Sequence, residues 1–374
     1  MSEAITVFLA GGGTGGHLYP GIAVAEALRS VAPEVKPVFL ATRKEIDRVI
    51  LEPTGFEFIP QPVIPWKKSI SGTLRFAMAL RETWDVVRKL IKERKPAAVL
   101  GLGGYAAGPA VRMASSKKIP TALINPDVVP GAANKLLMKR AAAVCCQFDQ
   151  TANFVDSAIR PKLKVTGCPI RSDIRHLPPR DQAMARLSLN PKMDTLVVTG
   201  ASLGAQTVNE AVLTWLREAT PRGWQILHLS GRDHGDAVRE GYKGIATPSV
   251  VVDFTPAMAD VWAVADLAVS RSGASSCAEL TACGIPSVLL PYPYHKDMHQ
   301  RENAKVLVEA GAAVLLDDSK DPKKNAQKLR PLIEPLLYDV EKRRTMSQAA
   351  RKIGKPHAAE NVAQLVTDLA RSGR

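Results

Sequence analysis

The sequence predicts an α/β protein with two doubly wound parallel sheets, and three observations support this fold class. The chain has 374 residues, which corresponds to two domains at roughly 150 residues each. Short apolar runs typical of buried parallel strands alternate with helical patterns. This alternation occurs twice, on either side of a segment rich in turn-forming residues at 166–180. We therefore expect two facing domains with a ligand-binding cleft between them.

The first series of elements defines an N-terminal domain over residues 1–165. Buried strands are predicted at Ile5–Ala10, Pro37–Ala41, Ala97–Leu102, Thr121–Ile124 and Ala142–Gln147. Helices are predicted at Gly21–Ser30, Thr73–Glu93, Ala106–Ser116 and Gly131–Arg140.

The second series defines a C-terminal domain over residues 181–355, with 166–180 as the linker. Strands are predicted at Leu196–Thr199, Gln225–Leu229, Val250–Val252, Leu267–Ser270, Ser287–Leu290 and Ala313–Leu316. Helices are predicted at Gln206–Glu218, Met258–Ala265, Ser275–Cys283 and Gln300–Glu309. From about Pro322 the pattern is helical and basic, and a last helix in 356–374 could pack back on the N-terminal domain.

Composition excludes several protein classes. Hydrophobic residues make up 46% and charged residues 23%, which argues against disorder and coiled coils. No apolar run approaches the roughly 18 residues of a spanning helix, and the first residues lack the basic region of a signal peptide. Five cysteines without metal-ligand spacing favour reduced thiols in the cytosol.

The net charge of +14 calls for an anionic partner: nucleic acid, a membrane face or phosphorylated substrates. Residues 67–95 hold nine basic residues, beginning with Lys67, against three acids, and apolar residues such as Trp66 and Leu74 are interspersed. This pattern suits a helix resting on an anionic bilayer. An ordinary amphipathic helix with its apolar stripe towards the core is the alternative. No motif supports nucleic acid, which we do not expect as a partner.

A glycine loop at residues 11–16 follows the first strand and ends at His17. Its backbone N–H groups can receive an anion or a sugar hydroxyl. The imidazole of His17 would then act as a general base at the sheet edge, although filling the turn is an alternative role. The spacing also satisfies G-x-G-x-x-G, and Arg43 could bind a 2′-phosphate, so an NADP-dependent oxidoreductase stays open.

Further loops follow strands in both domains, at 101–109, 200–205 and 271–279. In the last of these, hydroxyls and N–H groups from Ser272 to Ser276 at a helix start would bind a diphosphate. Glu279 lies a turn further on and would bind vicinal ribose hydroxyls, or else occupy an ordinary solvated position.

Taken together, these motifs resemble those of the bacterial peptidoglycan glycosyltransferases of glycosyltransferase family 28. The resemblance covers nearly the whole length and runs in the same order. It is carried by Gly12-Gly-Thr-Gly-Gly-His17 with Pro20-Gly-Ile-Ala-Val-Ala25, Gly103-Gly-Tyr105, Asn134-Lys135, Arg171-Ser-Asp173, Arg271-Ser-Gly273 with Glu279, and His295-Lys-Asp297 with Gln300 and Asn303.

The resemblance implies a GT-B arrangement of two facing Rossmann-like domains. It also implies transfer of N-acetylglucosamine from UDP-N-acetylglucosamine to undecaprenyl-diphosphate-linked muramyl-pentapeptide, with inversion, by a peripheral protein on the cytoplasmic face of the plasma membrane. The N-terminal domain would take the lipid acceptor and the C-terminal domain the nucleotide sugar.

The site residues implied by the resemblance fall into two groups. Thr14, Gly15 and Gly16 would contact the sugar or the acceptor, and Gly104, Tyr105 and Asn134, in the other matching motifs, would bind substrate. The donor side comprises Arg171, Ser202, Ser272, Gly273, Ala274, Ser275, Ser276, Glu279 and Gln300.

The chain departs from the family pattern near the sugar. Asp127 stands where the family usually has an asparagine, and it rivals His17 as the base. Leu203 and His299 replace common glutamines. Transfer to diacylglycerol or another polyprenyl lipid therefore stays an alternative, as does a non-catalytic UDP-sugar-binding subunit. No D-x-D motif occurs in the sequence, so we expect neither a metal ion nor another cofactor in the reaction.

Overall fold

The computed structural model describes residues 5–66, 68–201 and 204–372. The chain forms two compact units, one of Met1–Arg171 with Pro356–Arg374 and the other of Ser172–Lys355. Each unit contains one parallel sheet flanked by helices. The predicted fold class is therefore confirmed.

The first unit contains a seven-stranded sheet in the order β3-β2-β1-β4-β5-β6-β7. The strands are β1 (Ile5–Gly11), β2 (Val35–Thr42), β3 (Glu57–Gln61), β4 (Ala98–Gly103), β5 (Thr121–Asn125), β6 (Ala143–Cys146) and β7 (Leu163–Val165). Its first five helices are α1 (Gly15–Val31), α2 (Glu45–Leu51), α3 (Ile70–Arg94), α4 (Gly104–Ser116) and α5 (Ala132–Met138). The strand order reverses between β1 and β4, which is where doubly wound sheets bind ligands.

The second unit contains a six-stranded sheet in the order β10-β9-β8-β11-β12-β13. The strands are β8 (Asp194–Thr199), β9 (Trp224–Leu229), β10 (Ser249–Val252), β11 (Leu267–Ser270), β12 (Ser287–Leu289) and β13 (Ala313–Leu315). The helices are α6 (Ser172–Arg175), α7 (Arg180–Arg186), α8 (Gln206–Glu218), α9 (Gly235–Gly241), α10 (Met258–Val264), α11 (Ala274–Cys283), α12 (His299–Glu309), α13 (Pro322–Tyr338) and α14 (Val340–Ile353).

The last helix, α15 (Ala358–Ser372), belongs to the first unit. Val362, Val366 and Ala370 are fully buried in the same apolar cluster as Leu28 of α1. Arg371 donates from Nη2 to Oε1 of Glu34 over 2.7 Å. The end of the chain thus completes the core on one face of the first sheet.

Sequence patterns missed two strands, β3 and β7, and four short helices, α2, α6, α7 and α9. Both strands lie at the edges of the first sheet, and β7 is only three residues long and partly exposed. Charged residues or proline interrupt the apolar residues of both strands, Glu57–Gln61 and Leu163–Val165, so neither forms a continuous apolar run. The edge strands of the second sheet, β10 and β13, consist mainly of apolar residues and were predicted. Helix α6 lies inside the segment that was predicted to be a linker.

The sequence also predicted that no helix spans a membrane and that the cysteines are reduced thiols. No helix within the described residues is long and apolar enough to cross a membrane. All five cysteines are buried free thiols, and burial raises the pKa of Cys145 to about 12.

Candidate active site

The loop between β1 and α1 is held by a carboxylate that sequence analysis did not single out. Asp47 of α2 is fully buried. Its two oxygens accept hydrogen bonds from the Gly13 N–H at 2.7 and 2.9 Å. Its Oδ2 also accepts from the N–H and the hydroxyl of Thr42, both at 2.8 Å. A Cβ at Gly12 would lie 2.2 Å from that oxygen, so the close approach requires glycine.

The contact with Asp47 changes what the first loop can bind. The Gly13 N–H was expected to be available to a ligand anion, but the protein's own carboxylate accepts from it. Anion binding by this N–H is therefore excluded while Asp47 is in place. The part of the loop that can still meet a ligand is Thr14, Gly15 and Gly16, in which Thr14 and Gly16 are exposed.

His17 lies in the first turn of α1, and its contacts distinguish the two ring nitrogens. Nδ1 lies 3.3 Å from the carbonyl oxygen of Gly12 and 3.1 Å from Oγ1 of Thr14. Because a carbonyl can only accept, we assign the proton of the neutral ring to Nδ1. Nε2 then carries the lone pair that a general base needs.

The second glycine loop packs against the same imidazole. Gly103 ends β4 and Gly104 begins α4, with φ of 104° and 71°. A Cβ at Gly103 would lie 3.1 Å from the ring of His17, and one at Gly104 would lie 2.8 Å away. The absence of side chains at both positions lets the backbone after β4 contact the histidine.

The surroundings of His17 keep it neutral near pH 7. Burial lowers the pKa of His17 below its ordinary value of 6.5. The Gly12 carbonyl and the negative charges of Asp127 and Asp47 oppose this shift without reversing it. Asp127 is therefore close enough to affect His17 electrostatically.

Two buried polar atoms near the two glycine loops have no hydrogen-bond partner among the described residues: the hydroxyl of Tyr105, near Gly13, and Oδ1 of Asn134, near Gly103. The amide nitrogen of Asn134 donates to the carbonyl of Ile124 at 3.0 Å and to Oδ1 of Asn125 at 3.1 Å. Because unpaired buried polar groups are rare, these two atoms are candidates for ligand contacts.

The structure thus brings Thr14, His17, Gly104, Tyr105 and Asn134 to the carboxyl end of the first sheet. Arg171 is the last residue of this unit before α6. Its guanidinium lies 5.5 Å from the ring centre of Tyr19 in α1. This contact connects the final segment of the unit to the helix that carries His17.

In the second unit, the loop between β11 and α11 is tied to α12. Ser272 is fully buried, and its hydroxyl donates to the carbonyl of Gln300 at 2.8 Å. The amide of Asn303 donates to the carbonyl of Ser272 at 3.1 Å. The Ser272 side chain therefore holds the loop in place, whereas Ser275 and Ser276 in the first turn of α11 are partly exposed.

Glu279 and Gln300 are both held in position by neighbouring groups. Oε2 of Glu279 accepts from the indole N–H of Trp262 at 2.7 Å, and Glu279 is partly buried. It is therefore not an ordinary solvated position. Oε1 of Gln300 accepts from the Tyr292 N–H at 3.0 Å. The side-chain nitrogen of Gln300 lies 3.9 Å from where a Cβ of Gly273 would be.

Arg271 forms a buried ion pair with Asp318, a residue that sequence analysis also did not single out. The two side chains are 6% and 0% exposed, and Nη1 donates to Oδ2 over 2.7 Å. Nη1 also donates to the carbonyl of Leu290 at 2.9 Å, and Nη2 to the hydroxyl of Thr207 at 2.8 Å. Arg271, which follows β11, thus links the end of this strand to the end of β12 and to α8. Ser202 and Leu203 lie outside the described residues.

Two family models match the chain. Glycosyltransferase family 28 N-terminal domain matches residues 7–146, and glycosyltransferase family 28 C-terminal domain matches residues 195–362. These matches set aside the alternative of an NADP-dependent oxidoreductase. Arg43, which that alternative needed, donates from Nη2 to Oε1 of Glu82 at 2.9 Å.

Curated relatives are similar over the full length. A protein of Thermodesulfovibrio yellowstonii is 35% identical, covering 98% of this chain and 100% of its own length. One of Halothermothrix orenii is 34% identical, covering 96% and 98% respectively. Both are named UDP-N-acetylglucosamine--N-acetylmuramyl-(pentapeptide) pyrophosphoryl-undecaprenol N-acetylglucosamine transferase.

Solved structures are also similar over nearly the full length of the chain. The crystal structure of Acinetobacter baumannii MurG is similar with a TM-score of 0.74 at 26% identity, covering 97% of this chain and 99% of that one. The calicheamicin glycosyltransferase CalG4 is similar with a TM-score of 0.65 at 15% identity, covering 98% of this chain and 99% of its own. The second likeness concerns the fold alone.

Proposed function

The chain belongs to glycosyltransferase family 28, and we propose that it transfers N-acetylglucosamine from UDP-N-acetylglucosamine to muramyl-pentapeptide linked through a diphosphate to undecaprenol. The observation that carries this proposal is the full-length similarity to relatives that are named for this reaction. The two units would divide the substrates, with the acceptor on the first and the nucleotide sugar on the second.

The reaction we propose is a single displacement at the anomeric carbon, with inversion and departure of UDP. His17 removes the proton of the acceptor hydroxyl through Nε2. Two features support this role: Nδ1 is directed at the Gly12 carbonyl, and burial lowers the pKa of the ring. A neutral imidazole at pH 7 can accept a proton, whereas an imidazolium cannot.

The acceptor would be bound by Thr14, Gly15, Gly16, Gly104, Tyr105 and Asn134. The unpaired buried atoms of Tyr105 and Asn134 support this assignment, because a hydroxyl-rich ligand would satisfy both of them. Asp127 would influence the proton transfer through its effect on the pKa of His17.

The nucleotide sugar would be bound around α11. The N-terminus of this ten-residue helix offers N–H groups and positive potential to the diphosphate. Gly273, Ala274, Ser275 and Ser276 form that terminus, and Ser272 fixes the loop that leads into it. Glu279 would bind the ribose hydroxyls and Gln300 the hydroxyls of the transferred sugar. The roles of Arg171 and Ser202 at the diphosphate or nucleotide remain predictions from the resemblance.

Docking on an anionic bilayer at the cytoplasmic face is proposed for the start of α3. Trp66, Ile70, Leu74 and Met78 are 57%, 93%, 62% and 57% exposed. The last three follow one another at spacings of four residues and so share one face of the helix. Arg75 is exposed on the same half of the helix. This combination of exposed apolar and basic residues suits an interfacial helix.

The test is transfer of labelled sugar from UDP-N-acetylglucosamine by the purified protein. Muramyl-pentapeptide diphospho-undecaprenol, diacylglycerol and a simple polyprenyl phosphate should be offered in parallel. We expect transfer to the first acceptor only. Preferred transfer to another lipid would overturn the acceptor assignment, and donor binding without transfer would identify a non-catalytic subunit.

A further inference from the structure

A cluster of His295, Asp297 and His299 lies in the loop before α12 and in its first turn, and the proposed reaction does not use it. The ligand atoms of these three side chains all lie within 4.8 Å of one another. His295 and Asp297 are exposed and His299 is partly buried. We propose that His295 and His299 bind a divalent transition-metal ion, with Zn²⁺ as the expected ion, and that Asp297 positions His299.

The two histidines already have nearly the separation that a shared metal ion requires. Nδ1 of His295 lies 3.2 Å from Nε2 of His299. Two imidazole nitrogens bound to a tetrahedral zinc at about 2.0–2.1 Å lie roughly 3.3–3.4 Å apart. The ion could therefore enter with only a small movement of either ring.

Asp297 sets which nitrogen of His299 faces the ion. Its Oδ1 lies 2.7 Å from Nδ1 of His299. An ionised carboxylate only accepts, so Nδ1 carries the proton and Nε2 presents its lone pair towards His295. A carboxylate on the far nitrogen of a metal-binding histidine is a recurring arrangement that orients the ring and raises its basicity.

The neighbouring rings also restrain the site. The ring of His295 packs edge-on against Tyr292 at a centroid distance of 4.7 Å, and it lies 4.5 Å from the ring of His299. The exposure of the cluster leaves room for water to complete the coordination. Imidazole ligands favour Zn²⁺, Ni²⁺ and Cu²⁺ over Mg²⁺ and Ca²⁺, which prefer oxygen.

A bound ion would join the loop at His295 to the start of α12. Gln300 follows His299 directly, and its side chain accepts from the Tyr292 N–H. The ion would therefore add a second link within residues 292–300, which this hydrogen bond already connects. If Gln300 binds the sugar, a consequence that rests on the proposed function, the metal would tune donor affinity. The site itself does not depend on that function.

The test is calorimetric titration of ZnCl₂ into untagged, EDTA-stripped full-length protein, with Co²⁺ absorption as a second probe of coordination. We expect one Zn²⁺ per chain. Both His295→Gln and His299→Gln should weaken binding at least tenfold, and Asp297→Asn by about 10–100-fold. His176→Gln, which alters an exposed histidine of the same unit, should leave binding unchanged.

Zinc should also slow amide hydrogen exchange in residues 292–300 of the unmodified protein, and Mg²⁺ should not. The proposal fails if the unmodified protein takes up no Zn²⁺, or if both histidine variants bind it as tightly as the unmodified protein does. Neither readout involves sugar transfer. A failed transferase assay would therefore leave this result standing, and the reverse also holds.

Discussion

The contacts of His17 with Gly12 and Thr14 involve one ring nitrogen, Nδ1, and we propose that the other, Nε2, accepts the proton of the acceptor. The Gly12 carbonyl faces Nδ1, and the glycine backbone after β4 packs against the ring. This arrangement supports the proposed role of His17 as the general base.

Replacing His17 by alanine should lower kcat by about 10²–10⁴-fold, the usual contribution of a general base. In the unmodified enzyme the neutral imidazole is the active form, so kcat/KM should fall as pH drops through the pKa of His17. Because burial lowers that pKa below 6.5, the acid limb of the profile should lie below pH 6.5. Steady-state rates from pH 5 to 8 would measure both effects.

Asp127→Asn is the matched control for the identity of the base. The charge of Asp127 raises the pKa of His17, so removing it should move the acid limb to lower pH while transfer continues. If Asp127→Asn instead abolishes transfer and His17→Ala retains it, Asp127 is the base.

Asp47→Asn should destabilise the first unit by about 3 kcal/mol. The carboxylate accepts hydrogen bonds from Gly13 and Thr42 inside the core. In asparagine one of the two oxygens is replaced by an NH2 group, which would face these donors and could not accept from them. Urea denaturation would measure the loss in the free energy of unfolding. Glu45→Gln alters an exposed carboxylate of the same helix and should change it by less than about 0.5 kcal/mol. Equal stability of the two variants would contradict the anchoring role.

Glu279→Ala should weaken UDP-N-acetylglucosamine binding by about 10–100-fold, the range for a lost hydrogen bond to a charged group. Calorimetric titration with the donor alone would measure the dissociation constant. Glu218→Ala, an exposed position at the end of α8, provides the comparison. Unchanged donor affinity in the Glu279 variant would remove this residue from the site.

At the scale of elements, α3 combines the two interpretations that its sequence allowed. Thr83, Val87 and Ile91 in its second half are buried, as in an ordinary amphipathic helix. Ile70 and Leu74 in its first half are exposed. At 3.6 residues per turn, these two sets of residues lie on different faces of α3, so the exposed apolar residues do not continue the buried stripe.

Neutralising Lys68, Arg75 and Arg81 with glutamine should reduce co-sedimentation with vesicles that contain phosphatidylglycerol. Each of these charges contributes about 1 kcal/mol near an anionic surface. The matched control neutralises Arg88, Lys89 and Lys92, three exposed charges on the second half of the same helix. Equal losses in both variants would indicate unspecific attraction, and no loss in the first would refute docking through this end of α3.

Strands were predictable from sequence where they form continuous apolar runs. The central strands β1, β4 and β5 were found because each is a continuous apolar run. The start of α1 was predicted six residues too late, because Gly15, Gly16 and Pro20 are typical of loops. Their helical conformation depends on packing against the sheet, which no local pattern reports.

At the scale of the whole molecule, the reaction should proceed without a divalent metal ion. The sequence contains no D-x-D motif, so we expect the N–H groups at the α11 N-terminus to stabilise the departing diphosphate. We expect transfer activity to persist in excess EDTA. Complete loss of activity in EDTA that added Mg²⁺ restores would overturn this prediction. Loss of zinc from the proposed His295 site would not give this result, because imidazole ligands bind Mg²⁺ poorly and added Mg²⁺ would not refill the site.

The basic residues of the folded chain include an exposed group and a buried group. Residues 67–95 carry nine basic residues, and the first part of this segment presents exposed apolar side chains beside them. Arg271 and Arg343, by contrast, are largely buried in ion pairs with Asp318 and Asp194. Part of the basic excess thus supports the fold, and the exposed basic residues in the first half of α3 are those that we propose to meet an anionic membrane.

The sequence by itself determined the two parallel sheets, the glycine loops that follow their strands and the family to which the chain belongs. These features depend on residues close together along the chain. Only the tertiary structure decided that Asp47 holds the first loop, that Trp262 orients Glu279, that Asp318 pairs with Arg271 and that Arg371 of α15 pairs with Glu34. Such partners lie 17 or more positions apart, so folding alone brings them together and no local periodicity records them.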